Sequence, residues 1–68
     1  MTFKELRRLR RELEISQAEV AAALGTHQTI VGLAEKDTIE RVREAVAAYL
    51  LAEKARREAE AEQAAVAA

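Results

Sequence analysis

Directly after Gly25 the chain reads Thr26, His27, Gln28, Thr29, and apolar residues resume at Ile30 and Val31. Hydroxyl, imidazole and amide groups in succession make a cluster that can both donate and accept hydrogen bonds. A second concentration of chemistry lies at Arg7, Arg8, Arg10 and Arg11. Four guanidiniums within two helical turns form either a solvated face or a patch that faces phosphates. Other chemistry is poorly supplied. One histidine and no cysteine make no zinc site of ordinary composition. No nucleophile–base set, metal cluster or phosphate loop is recognisable, so the expectation is no catalytic residue, no metal, no cofactor and no enzyme.

The composition limits what can position these groups. Sixty-eight residues make one small domain, near the lower limit for a self-sufficient core. Sixteen alanines, two glycines and no proline point to an all-α chain. No apolar run reaches the length of a membrane span, and MTFKELRRLRREL lacks the apolar core of a signal peptide. With no cysteine either, the expected location is the cytoplasm. The net charge of −1 argues mildly against a polyanion partner. The charge is unevenly spread: residues 1–36 carry six basic and five acidic side chains, residues 37–68 five and seven. Any nucleic-acid surface must therefore be a local patch in the first half.

Three capping signals divide the chain. Thr2 with Glu5 opens a first helix over about 3–13, with Phe3, Leu6, Leu9 and Leu13 at helical spacing. Ser16 with Glu19 opens a second, running to about Leu24, and Ile15 is placed to pack on Val20 as a hydrophobic staple. Gly25 fits the left-handed residue that closes a helix. A third helix runs from about His27 to Lys36, capped by Thr26 or His27, with Val31 and Ala34 on its inner face. Gly32 in its middle costs about 1 kcal/mol relative to alanine, which suggests close approach of another backbone or weak demand on the helix. Asp37 with Glu40 opens a fourth helix carrying Ile39, Val42, Val46, Tyr49 and Leu50 as its apolar stripe. No breaker follows, and residues 52–68 favour helix while offering little to bury. The expected organisation is a domain at 1–51 with a helical extension at 52–68.

The run LRRLRRELEISQAEVAAALGTHQTIVGLAEK, residues 6–36, resembles the phage repressor and Cro (lambda repressor-like) family of helix-turn-helix proteins. The matching positions are Ile15, Ser16, Gln17, Glu19, Val20, Ala21, Leu24 and Gly25, then His27, Gln28, Val31 and Glu35. The resemblance implies a four-helix, all-α fold with a long C-terminal helix. Ala21 would be small so that the third helix can cross close by. That third helix would be the recognition helix, with its first turn at base edges in the major groove. His27, Gln28, Thr29 and Leu33 would then read bases, Gln28 by bidentate contact with adenine and Leu33 by packing on thymine methyls. Gln17, at the start of the second helix, would hold phosphate, together with Lys36, Arg10 and Arg43. Arg10 and Glu35 match a pair that members form between the first and third helices. Departures are also plain: Glu14 stands where a glycine-like residue is usual, Leu33 where a base-directed polar side chain is common, and Ala34 where a larger apolar residue is usual.

The function implied is a sequence-specific, double-stranded-DNA-binding repressor or regulator. It would act by occupying an operator as a homodimer, with Tyr49, Leu50 and Leu51 as candidates for the dimer seam. The alternative is a protein-interaction module, an antitoxin or antirepressor, that uses the helix-turn-helix as scaffold and grips a protein partner with the C-terminal helix.

Overall fold

The computed structural model describes residues 1–36 and 40–67. Four helices follow in order: α1 Phe3–Glu12, α2 Gln17–Leu24, α3 Gln28–Ala34 and α4 Glu40–Ala67. The expected all-α, four-helix chain with a long last helix is what is found. The third capping signal and Ile39 lie outside the described residues.

The first two helix starts follow the sequence closely. The Thr2 hydroxyl accepts from the Glu5 amide at 3.2 Å, and the Ser16 hydroxyl accepts from the Glu19 amide at 3.0 Å. Each satisfies one of the amides that a helix start leaves without a partner. Ile15 and Val20, the expected staple, are both buried.

Two helix ends close in the same way. After α2, Gly25 takes φ 67°, ψ 34°; its amide donates to the Ala22 carbonyl and the Thr26 amide to the Ala21 carbonyl. After α1, Glu14 takes φ 56°; its amide donates to the Arg11 carbonyl and the Ile15 amide to the Arg10 carbonyl. Both are Schellman closures, which require a left-handed residue. Glycine fills one at no steric cost; glutamate fills the other against a penalty of about 1–2 kcal/mol. α3 ends at Ala34, sooner than the pattern suggests. The Lys36 amide bonds to the Leu33 carbonyl at 3.0 Å, an i to i−3 bond that tightens the chain out of α-helix while the Glu35 side chain turns inward.

The core is made by Leu6 and Leu9 from α1, Ile15, Val20 and Ala21 around and within α2, Val31 from α3, and Val46 and Leu50 from α4. Leu13, Leu24, Val42, Ala47 and Tyr49 close its edges. Leu50 is fully buried, so it belongs to this core and not to a dimer seam; Tyr49 packs against the core, and of the three seam candidates only Leu51 is exposed.

α4 continues past the core without interruption. At about 1.5 Å per residue its 28 residues span about 42 Å, which accounts for the 44 Å long axis of the molecule. The first turn beyond Leu51 is tied down: Glu53 is half-buried and pairs with Arg56 and Arg57, and Arg57 Nη1 donates to the Leu13 carbonyl at 2.6 Å. That bond serves a carbonyl at the end of α1. The folded unit therefore reaches Arg57, one and a half turns beyond the expected boundary at residue 51. Among the described residues, no helix is long and apolar enough to cross a membrane.

Candidate functional site

On the helical projection of α1, Arg10 falls between Phe3 and Leu6, inside the apolar arc. Its guanidinium is accordingly drawn into the protein. Nε donates to Glu35 Oε2 at 2.5 Å, Nη2 to Glu35 Oε1 at 3.1 Å and Nη1 to the Ile15 carbonyl at 2.9 Å. The Arg10 side chain is 12% exposed and that of Glu35 3%. This fork-on-fork geometry is the strongest that arginine makes with a carboxylate. It joins the end of α1 to the end of α3, as the resemblance implies, and it uses three of the five guanidinium N–H donors. Arg10 is therefore a structural cation, and it also lines the depression that holds Arg7 and Arg11.

Glu35 Oε1 also accepts from Gln17 Nε2 at 3.2 Å. The amide of Gln17 is thereby held across Gly32. A β-carbon built on Gly32 would stand 3.7 and 3.8 Å from the two polar atoms of the Gln17 amide, ordinary contact distance. The approach to Gly32 is thus made by a side chain, and there is room for a methyl group.

Around this arrangement lies a shallow groove lined by Gln17, Gln28, Thr29, Gly32, Leu33 and Lys36. Gln28 and Thr29 are exposed on the first turn of α3, Leu33 is half-buried one turn later, and Lys36 is exposed at the end. A neighbouring depression shares Gln17, Gly32 and Lys36 with it and adds Arg7, Arg11 and the Arg10–Glu35 pair. The expected site residues Gln17, Gln28, Thr29, Leu33 and Lys36 are thus brought to one surface, with Arg10 at its edge.

The other expected residues are placed elsewhere. His27 is exposed at the N-cap of α3, with φ −100° and ψ 148°, and its side chain makes no capping bond. Thr26 is half-buried on the far side, in a depression lined with Leu24, Arg41, Val42 and Ala45. Arg43 lies beside Met1, Thr2, Phe3 and Glu5, 3.8 Å from the Glu40 carboxylate, and does not line the groove. The cations next to the groove are Arg7 and Arg11, which form no ion pair among the described residues, whereas Arg8 pairs with Glu12 at 3.3 Å. The sequence carried a signal for this sorting. Arg7 and Arg11 are four residues apart on the strip adjoining Arg10, so burying Arg10 brings both to the rim.

Ala21 is buried where α2 and α3 pack together, as expected of a small residue at a helix crossing. No family model, curated protein or solved structure matches the chain.

Proposed function

We propose that this protein is a sequence-specific binder of double-stranded DNA that regulates transcription by occupying an operator. The observation that carries the reading is the single exposed surface on which α3 presents Gln28, Thr29 and Leu33 between Gln17 and the cations Lys36, Arg7 and Arg11. An α-helix fits the major groove, where amides pair with adenine and apolar groups meet thymine methyls. In this reading Gln28 and Thr29 meet base edges, and Leu33 packs on a methyl. Gln17 bonds phosphate from the first turn of α2, where amides and the helix dipole favour an anion. Lys36, Arg7 and Arg11 neutralise the flanking phosphates. The Arg10–Glu35 pair fixes α3 against α1 and, through Gln17, fixes the anchor relative to the reader.

The test is retardation of a random-sequence duplex at low salt, followed by selection of a preferred site. Gln28→Ala should relax preference at one position per half-site, at about 1–3 kcal/mol on the selected site. Gln17→Ala should weaken all duplexes alike. Absence of retardation at low salt would reject the reading. It would favour the rival, a protein-interaction module, for which Leu33 in the middle of the exposed surface is the supporting observation.

A further inference from the structure

Leu33 is a leucine with no place in the core. It is half-buried, yet it neither forms the core nor closes its edges as Leu13, Leu24 and Val42 do. It stands instead in the groove on α3. Thr29 lies one turn before it on the same strip of the helix, Lys36 follows just beyond the helix end, and Gly32 beside it brings no side chain.

The surroundings of Leu33 match a polyanion better than an apolar protein surface. Arg7, Arg11 and Lys36 flank the groove. Among the described residues that line the groove and the adjoining depression, the one carboxylate is Glu35, whose side chain is 3% exposed and held by Arg10. The apolar group that DNA offers in its major groove is the methyl at pyrimidine C5. A leucine side chain neither donates nor accepts a hydrogen bond, so it reads neither the O4 of thymine nor the N4 amine of cytosine. It senses whether the methyl is there. Thymine carries that methyl and so does 5-methylcytosine; uracil and cytosine lack it.

We propose that Leu33 makes α3 a reader of the C5 methyl itself, so that 5-methylcytosine is accepted where thymine is and occupancy of the site responds to cytosine methylation. This rests on the DNA reading above and adds to it the modification that regulates binding. Leu33 follows Gln28 by five residues, about 7.5 Å along α3, so the methyl lies about two base steps from the adenine that Gln28 contacts. Burial of one methyl group corresponds to about a fourfold change in affinity.

The test uses the full-length chain and a duplex selected from random DNA. Each thymine of a half-site is replaced in turn by uracil, which removes the methyl and nothing else. At one position, about two pairs from the one that Gln28→Ala relaxes, affinity should fall about fourfold for the parent and stay unchanged for Leu33→Ser. With a C·G pair at that position, methylating the cytosine should raise affinity about fourfold for the parent and leave Leu33→Ser unaffected. Leu33→Met, still apolar, should keep the methyl response, so the comparison does not depend on the serine variant alone. A parent indifferent to uracil at every thymine, a selected half-site without a T·A pair, or a methyl effect of equal size in Leu33→Ser would overturn the proposal and leave the DNA reading standing. Absence of retardation for every duplex would overturn both.

Discussion

Replacing Arg10 by methionine keeps most of the stem that packs near Phe3 and Leu6 but removes the guanidinium. Glu35 is then left with a side chain 3% exposed and, of its three hydrogen bonds, only that from Gln17. Breaking a buried pair in this way costs about 3–5 kcal/mol, because a desolvated carboxylate loses its partner. A chain of this size has a total stability of about 3–10 kcal/mol. Arg10→Met should therefore bring the protein close to unfolding at 25 °C, and urea titration followed by circular dichroism should show a large drop in the midpoint with an unchanged slope. The double variant Arg10→Met with Glu35→Leu removes both charges and should recover most of the loss, since two apolar side chains replace a buried pair at little or no cost. It should still bind DNA more weakly than the parent, because Gln17 loses the carboxylate that holds it. A loss below about 1 kcal/mol for Arg10→Met would refute the reasoning, since that is the size expected of a solvent-screened surface pair.

Glu14→Gly should raise stability by about 0.5–1 kcal/mol, the relief at φ 56° outweighing the entropy that glycine adds to the unfolded chain; a thermal melt that shows no rise contradicts the strain. Gly32→Ala should fold normally and gain up to about 1 kcal/mol of helix propensity, because the added methyl meets Gln17 at ordinary distance, and a melt lower than that of the parent would show the space to be absent. Arg57→Ala should cost about 0.5–1.5 kcal/mol through the Leu13 carbonyl, whereas a chain ending at Glu58 should melt like the full-length protein; equal losses from both would place the stabilisation elsewhere in the tail. Lys36, Arg7 and Arg11 of two copies give about six phosphate contacts, so log–log salt titration of duplex binding should have a slope of about −5, falling to about −3.5 in Arg11→Ala. Arg56 and Arg57 hold the Glu53 carboxyl below the usual carboxylate range; its support for α4 is present at neutral pH and fades on acidification through that lowered value, so Glu53→Gln should flatten any loss of helicity seen below the ordinary carboxylate range.

Where a residue's place depends on its near neighbours, the sequence alone determined it. Thr2 and Ser16 cap because a hydroxyl reaches an amide three residues on, and Gly25 turns because it has no β-carbon. The stripes at Leu6–Leu9 and Val46–Leu50 are buried because helical spacing leaves them one face. Periodicity placed Arg10 inside the apolar arc of α1 and Leu50 in the stripe of α4, but it could not show which distant groups they meet. Arg10, inside that arc, is a paired strut because Glu35, twenty-five residues away, closes on it, while Arg7 and Arg11 stay at the rim. Arg57 follows the same rule, since its bond to Leu13 depends on how α4 runs past the end of α1. Local hydrogen bonding and period are written in the chain, whereas the partner a side chain meets is decided by the packing of helices that are distant in sequence.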